Sequence, residues 1–381
     1  MKYPRIGMYS AIAGNGYPLL LPDGTINKEA IRKQAKYETV ILDVSAPIHR
    51  PDILWSLRTV NPKIRIFGYV MGSVYWNNPN PSLGSKEQDF AWKYYSIVDQ
   101  TDGYLYCING ISKGNVNVAK QETMLNLADL ITTQVTTTEL WDGLFLDVTC
   151  PQIHGIVSGD CTYDINRMGY TRVEDYEAAW RFNHRNFIER ISMNSPPDFP
   201  IVGNCGPGGE TDLFNGWMRE NFPHQNLKVG DDSWIGNMIM NGWGNNGYLA
   251  EQYRNKESWL VMMPSYGDET NPENHHRVRY GLASATLGEG FFSFARLEND
   301  LRRFWWFPEY DIDLGQPIEE AHRDIKVPAL WVREFTNGLV LVNPTNAFHS
   351  IYLHRMYHPP LSAWKTAFSI PPNDGLFLLK T

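Results

Sequence analysis

Several features are scarce in this 381-residue chain, and each scarcity excludes a class of protein. Charged residues make up only 20% of the sequence, and 34 Lys and Arg face 42 Asp and Glu, which gives a net charge of −8. Such a chain lacks the overall basic character of a nucleic-acid binder. No apolar run approaches the roughly 20 residues that span a bilayer. The sequence therefore predicts neither nucleic acid nor a membrane as a partner.

Cysteine is also scarce, since the chain has only Cys107, Cys150, Cys161 and Cys205 and no Cys-x-x-Cys pair. Four cysteines are too few for a disulfide scaffold, so we interpret them as buried free thiols. A Cys150–Cys161 bond is the alternative if the compartment is oxidising. The first residues lack the apolar core of a signal peptide. This predicts a cytoplasmic protein, or one released without a signal, for example with a virion.

The common signatures of metal, phosphate and serine chemistry are missing. Gly14-Asn15-Gly16 is followed by Tyr17-Pro18 and not by a helix start, so it does not form a dinucleotide-binding turn. The chain has no HExxH or HxH motif and no GxSxG motif. We therefore expect no metal ion and no cofactor.

Aromatic residues, by contrast, are plentiful, with 13 Trp, 20 Tyr and 17 Phe. A disordered chain would be poor in them. Short apolar runs alternate with amphipathic segments of helical length, which is typical of βα units around a parallel sheet. The predicted strands are 5–10, 39–45, 64–71, 143–149, 200–204, 214–220, 259–264 and 290–295. Eight such strands favour an α/β fold of the (β/α)8 TIM-barrel type.

The pattern changes near the carboxyl terminus. Two apolar runs flank Asn337-Gly338, a strong β-hairpin signal, and two further strand-like runs follow. We predict a (β/α)8 barrel over residues 1–325 and a small antiparallel β module over residues 326–381.

Active-site residues of such barrels lie at the carboxyl ends of the strands. Among the polar and aromatic residues at or just beyond these ends, the candidate site residues are Asp43, Tyr69, Trp76, Asp147, Asn204, Glu220, Tyr266 and Arg296. Paired carboxylates between aromatic walls are typical of glycoside hydrolysis, in which one carboxyl protonates the leaving oxygen and the other attacks the anomeric carbon or activates water. Asp147 is the strongest candidate, because a carboxylate that closes the apolar run 143–146 is costly to bury. Asp43 could instead cap the following helix.

Five segments, in this order, resemble hypothetical glycoside hydrolase-like family 15 and its neighbours. They are DGLFLD (142–147), NGWMREN (215–221), GLASATLGEGFFSF (281–294), WWFPEYDIDLGQP (305–317) and REFTNGLVLVNPT (333–345). The resemblance spans about residues 37–381. It implies a (β/α)8 barrel with a small C-terminal β module and glycosidase chemistry, and says little about the substrate.

A wider analogy suggests roles for the two carboxylates. In retaining barrels similar to alpha-galactosidases, the nucleophile ends the fourth strand and the acid/base ends the sixth. By this analogy, Asp147 would be the nucleophile and Glu220 the acid/base. At the end of the sixth strand, however, those enzymes use the shorter Asp.

We therefore expect a glycoside hydrolase, of retaining type, that acts on a poly- or oligosaccharide. Asp43, Asn204 and Arg296 would bind sugar hydroxyls, and Tyr69, Trp76 and Tyr266 would stack on sugar rings. The alternative is a non-catalytic carbohydrate-binding barrel within a larger assembly, such as a virion or a surface structure.

Overall fold

The computed structural model describes residues 2–10, 19–74, 89–153, 161–205, 212–219, 222–223, 234–240, 247–249, 260–264, 272–295, 305–360 and 362–380. The chain forms two compact units. Unit I comprises Ser10–Lys36 and Val40–Trp217, and unit II comprises Met1–Tyr9, Tyr37–Thr39 and Met218–Thr381.

The strands are numbered along the chain. They are β1 Gly7–Ser10, β2 Thr39–Asp43, β3 Arg65–Met71, β4 Tyr104–Cys107, β5 Gly110–Val116, β6 Gly143–Asp147, β7 Ile201–Gly203, β8 Gly216–Arg219, β9 Leu260–Pro264, β10 Phe291–Ala295, β11 His322–Arg323, β12 Trp331–Phe335, β13 Gly338–Asn343, β14 His349–Tyr357, β15 Lys365–Ile370 and β16 Asp374–Leu379.

The α-helices are numbered in the same way. They are α1 Lys28–Gln34, α2 Ser45–His49, α3 Asp52–Val60, α4 Phe90–Gln100, α5 Gln121–Ile131, α6 Val173–Asn194 and α7 Pro272–Thr286. None of the helices in the described ranges is long and apolar enough to cross a membrane.

In unit I the neighbouring strands follow one another in space in the order of the chain: β2, β3, β6, β7 and the start of β8. The pairs from β3 to β8 are parallel. All five residues of β2 and of β6 are buried. Strands covered on both faces read as continuous apolar runs, which is why the sequence reveals them. The register aligns Met71 with Asp147 and Leu146 with Gly203, so these strands end at nearly the same level.

Helix α6 is the longest described helix and shows how the helices of unit I are held. Its buried side chains recur at helical spacing, from Tyr176 to Ile191. The Trp180 indole N–H donates to the Cys150 carbonyl at 3.0 Å, and the His184 ring lies 3.0 Å from the Thr149 hydroxyl. The helix is therefore tied by polar contacts to the segment that follows β6.

Unit II contains a second set of parallel pairings: Arg219 of β8 pairs with Val261 of β9, and β9 pairs with β10 along its length. Ile6 forms a parallel bridge to Phe292. Strands β11, β12, β13 and β16 pair as an antiparallel sheet, and β14 pairs with β15. One apolar cluster joins these two sheets, with Leu339 and Leu341 on one side and Ile351 and Phe368 on the other.

The mixed α/β fold with parallel strands is confirmed, and each of the eight predicted barrel strands overlaps an observed one. A closed (β/α)8 barrel, an independent C-terminal module and the boundary at residue 325 stay predictions. Two features were not predicted from the sequence: the antiparallel hairpin of β4 and β5, in which Cys107 pairs with Gly110, and strand β15.

The interpretation of the cysteines as free thiols is wrong, and so is the alternative Cys150–Cys161 bond. The structure pairs Cys107 with Cys161 and Cys150 with Cys205, with Cα atoms 5.4 and 5.3 Å apart. The physical reason is the parallel sheet. Cys150 and Cys205 follow the neighbouring strands β6 and β7, which end at the same edge, so residues 55 positions apart in sequence meet there.

We expect the protein, digested without reduction, to yield the linked peptides Cys107–Cys161 and Cys150–Cys205 in a mass spectrum. The double substitution Cys150→Ser/Cys205→Ser should lower the free energy of unfolding by up to about 4 kcal/mol, because it frees a loop of some 55 residues in the unfolded chain. Cys107→Ser/Cys161→Ser, which opens a loop of nearly equal length, is the matched control and should cost a similar amount. Four reactive thiols in the denatured, unreduced protein would contradict the assignment.

Candidate active site

The candidate site centres on the carboxylate of Asp147, the last residue of β6. The Tyr69 hydroxyl donates to Oδ2 of Asp147 at 2.6 Å, and the Asn204 amide Nδ2 donates to Oδ1 at 2.8 Å. The backbone N–H of Val148 donates to the same Oδ1 at 2.8 Å. Three donors thus converge on one carboxylate, which is only 9% exposed.

This arrangement matches the chemistry of an ionised carboxylate. An ionised Asp is purely an acceptor, and burying its charge is costly unless hydrogen-bond donors replace the lost water. Tyrosine, asparagine amide and backbone N–H groups are all donors, and none of them brings a competing negative charge. The local structure therefore suits a fixed, negatively charged oxygen at the end of β6.

The three parallel strands β3, β6 and β7 bring these groups together. Tyr69 lies two residues before the end of β3, paired with Phe145, and its ring stacks on Phe145 at 6.0 Å between centroids. Asn204 directly follows β7. Tyr69 is 1% exposed, so it supplies a hydroxyl to Asp147 and not the exposed ring face that we expected. Asn204 likewise contacts Asp147 directly.

The backbone beyond both strands is strained at the site. Val148 has φ of 49° and Cys205 has φ of 122°. A β-branched residue in the left-handed region is an outlier, and such strain costs of order 1–3 kcal/mol. The Ser73 hydroxyl donates to the Val148 carbonyl, and the Cys150–Cys205 disulfide links the two segments. These contacts hold the strained residues next to Asp147 and Asn204.

Asp43, at the end of β2, is the second buried carboxyl of unit I at a strand end. Its Oδ1 accepts the backbone N–H of Ser45 at 2.8 Å, as expected if Asp43 orders the start of the next helix. Burial raises the pKa of Asp43 to about 6, against the opposing effect of hydrogen bonds from Ser45, and the negative charge of Asp89 raises it further. This carboxyl therefore changes its charge state near pH 6.

A narrow recess adjoins Asp43. It is lined by Asp43, Val44, Ser45, Tyr69, Val70, Met71, Val74, Phe90, Ala91 and Tyr94. Tyr69 thus lines the recess and also contacts Asp147. The contribution of α4 to this recess, through Phe90 and Tyr94 at helical spacing, was not predicted from the sequence. A usable signal was Asp89, which caps that helix by accepting the Ala91 N–H at 2.8 Å.

Four predicted site residues lie outside the described residues: Trp76, Glu220, Tyr266 and Arg296. The structure therefore brings together Tyr69, Asp147 and Asn204 by direct contact, and it places Asp43 beside Tyr69 in the recess. Within the part of the chain that is described, no group of three or more His, Cys, Asp or Glu side chains could hold a metal ion.

The parallel strands and helices define an α/β protein. In this class the functional site lies at the carboxyl ends of the strands, which is where the buried carboxylate of Asp147 is found. Within that class, the chain belongs to hypothetical glycosyl hydrolase family 15, whose sequence profile matches residues 58–339. The family resemblance inferred from the sequence is confirmed. Family membership supports a glycoside hydrolase-like role. No curated protein sequence matches the chain.

Solved structures provide only remote likenesses. An alpha-L-fucosidase from Paenibacillus thiaminolyticus is 12% identical with a TM-score of 0.46, and the alignment covers 82% of this chain and 48% of the fucosidase. The chain thus spans about half the length of that enzyme. A chitinase from Bacteroides thetaiotaomicron is 9% identical with a TM-score of 0.35, over 78% of this chain and 90% of the chitinase. A 3-keto-D-glucoside 4-epimerase from E. coli has the same identity and TM-score, over 78% and 93%.

The raised pKa of Asp43 makes a testable prediction about stability. Between about pH 4 and pH 6 the unfolded chain has lost this proton while the folded chain retains it, so the contribution of Asp43 to stability falls as the pH rises. Asp43→Asn cannot titrate. Its free energy of unfolding, relative to the parent, should therefore rise by about 2 kcal/mol between pH 4 and pH 7. Urea unfolding at the two pH values measures this, and a difference independent of pH would refute it.

Proposed function

We propose that this protein is a retaining glycoside hydrolase that cleaves glycosidic bonds of a poly- or oligosaccharide, with Asp147 as the nucleophile and Glu220 as the acid/base. The observation that carries the proposal is the Asp147 carboxylate, held by three donors at the end of a parallel strand. Membership of a glycosyl hydrolase-like family supports the reaction class. The role of Glu220 rests on its position after β8 in the sequence and on analogy with retaining barrels.

The reaction would proceed in two displacements. A carboxylate oxygen of Asp147 forms a bond to the anomeric carbon while the bond from that carbon to the leaving oxygen breaks, and the leaving oxygen takes the proton of Glu220. Water then gives a proton to Glu220 and attacks the same carbon, which releases Asp147 as a carboxylate. Tyr69 and Asn204 would hold the nucleophile in line for both steps.

The remaining strand-end residues would bind the sugar. Asp43 and Arg296 would take hydroxyl groups, Asn204 would share its amide between Asp147 and the substrate, and Trp76 and Tyr266 would stack on ring faces. Chemically, this set offers donors, acceptors and flat apolar surfaces, which is what a sugar ring requires.

We further propose that the parallel strands belong to a (β/α)8 barrel and that residues 326–381 form its C-terminal antiparallel module. The pairing order, which follows the chain within each unit, supports the barrel. Two disulfides support an oxidising compartment, since such bonds persist outside the reducing cytosol. That setting suits a glycan outside the cell better than the cytoplasmic alternative.

The test is a digestion panel of polysaccharides and aryl glycosides, read by mass spectrometry. Asp147→Asn should lower turnover of any cleaved substrate by about a thousandfold or more, because it removes the attacking oxygen. Asp142→Asn is the matched control at the opposite end of β6, where Asp142 accepts Arg58 at 3.0 Å and the Ile66 N–H at 2.8 Å. It should leave turnover nearly unchanged.

The product stereochemistry and Glu220→Gln complete the test. Loss of turnover in Glu220→Gln and retention of anomeric configuration support the proposed pair. Full activity in either carboxylate variant would show that the assignment is wrong. Binding of a glycan without cleavage by the parent would favour the carbohydrate-binding alternative.

Tyr69→Phe tests how Asp147 is positioned. Loss of a hydrogen bond to a charged group should lower kcat by roughly tenfold to a hundredfold with little change in KM, because the ring remains packed on Phe145. Tyr176→Phe is the control, since it removes another buried hydroxyl, which contacts Asn117 at 3.1 Å. Equal effects of the two substitutions on kcat would mean that the contact with Asp147 has no role in turnover.

A further inference from the structure

Strands β14 and β15 form a two-stranded antiparallel ribbon whose two faces differ sharply. One face is buried: Ile351 pairs with Phe368, and both belong to the apolar cluster shared with β12, β13 and β16. On the other face, Tyr352 pairs with Ala367 and both are exposed. We call this second face, together with the exposed residues Phe348, Arg355, Met356, Trp364 and Lys365 on and beside the ribbon, the outer face of the ribbon.

Large apolar side chains are exposed on and beside the ribbon. Tyr352 is 72% exposed, Met356 is 52% exposed and Trp364 is 39% exposed. Phe348, at 70%, precedes the ribbon. Single exposed apolar residues are ordinary, but several on one short ribbon form a patch of the kind that marks an interaction site.

The same segment carries positive charge only. Between Glu334 and Asp374 the sequence contains no Asp or Glu, whereas it contains Arg355 and Lys365 and three histidines. Both basic residues are exposed. The chain as a whole has a net charge of −8, so this stretch is locally opposite in sign to the rest of the protein.

Protection of sheet edges does not account for this combination. Exposed Lys and Arg on edge strands discourage pairing with other chains. A protective edge, however, would not also expose Tyr352 and Met356, which promote association. We therefore expect a ligand that interacts with both the positive charges and the aromatic rings.

Complementarity of charge identifies the occupant. An aromatic ring packs against the C–H face of a sugar, and Arg and Lys attract carboxylates. A duplex nucleic acid would need a wider basic footprint than two residues provide on an acidic protein. A second copy of this chain would bring the same positive charges against themselves.

We propose that the outer face of the ribbon binds an anionic, uronate-containing polysaccharide. This inference rests on the proposed function, to which it adds the chemical class of the glycan. Tyr352 and Trp364 would stack on sugar rings, and Arg355 and Lys365 would pair with uronate carboxylates. The ribbon would thereby hold the polymer on the protein while other segments of it are cleaved.

Binding is measured by biolayer interferometry on immobilised polygalacturonate, alginate and hyaluronate, each compared with its methyl ester, which keeps the sugars and removes the charge. The full chain carries Asp147→Asn, so that no polymer is consumed. We expect binding to at least one polymer, about tenfold weaker binding to its ester, and weakening by salt. Tyr352→Ala, Trp364→Ala and the pair Arg355→Gln/Lys365→Gln should each weaken binding by about fivefold or more.

The matched controls lie on α6 and at the residue that precedes it, far from the ribbon in sequence. Phe182→Ala removes a ring that is 61% exposed, and Arg172→Gln removes an exposed positive charge. Both should bind like the parent. Tyr352→Ala should keep the parent's melting temperature, because so exposed a ring contributes little to packing.

Several results would overturn the proposal. These are no binding to any of the three polymers, unchanged binding by the ribbon variants, equal binding of the methyl esters, or equal binding of duplex DNA. A parent that is dimeric and becomes monomeric in Tyr352→Ala would assign the face to self-association. Because binding is measured in an inactive background, it can succeed while the cleavage test fails, and the reverse also holds.

Discussion

The site of unit I depends on one constraint: a negative charge buried at the end of a β-strand must be surrounded by donors. Asp147 meets this constraint with a phenol, a side-chain amide and a backbone N–H. Each donor has a structural cost. The Tyr69 side chain is buried, and the Val148 backbone adopts a left-handed conformation. Asn204 reaches Asp147 only because β7 ends at the same level as β6. The neighbouring disulfide and the contacts from α6 then keep these segments in place.

The same edge of the sheet holds two carboxyl groups in contrasting surroundings. Asp147 is met by donors from three different strands or strand ends, whereas Asp43 has local contacts with Ser45 and faces an apolar recess. Burial raises the pKa of Asp43 to about 6, within the range in which a carboxyl can carry a proton at working pH. Tyr69, which touches Asp147 and lines the recess beside Asp43, connects the two.

Much of the fold was predictable because its strands are buried on both faces, so that runs such as 143–146 read as continuous apolar segments. The β4–β5 hairpin was harder, since β5 contains Lys113, Gly114 and Asn115 and lacks such a run. Its signal was nevertheless present: Asn109-Gly110 marks it as Asn337-Gly338 marks the later hairpin, and in both cases Gly is the first paired residue after the turn.

For the site, the sequence predicted which residues gather at the strand ends but not what they contact. The Tyr69 ring was expected to stack on a sugar, but its hydroxyl donates to Asp147. The register between β3 and β6 places Tyr69 close to the end of β6, where Asp147 lies. The partners of the cysteines were likewise hidden, since pairing depends on which strands are neighbours in space and not on distance along the chain.

The disulfide connectivity also affects how the protein acquires its structure. The two native bonds overlap along the sequence, and each joins cysteines 54 or 55 residues apart. Cys150 and Cys161 are much closer in sequence, and in an unfolded chain the shorter loop closes about tenfold more readily. The first bond to form by chance is therefore a non-native one, and it must be exchanged by an attacking thiolate before β6 and β7 can be joined. Production of this protein with its native disulfides thus depends on thiol–disulfide isomerisation as much as on oxidation.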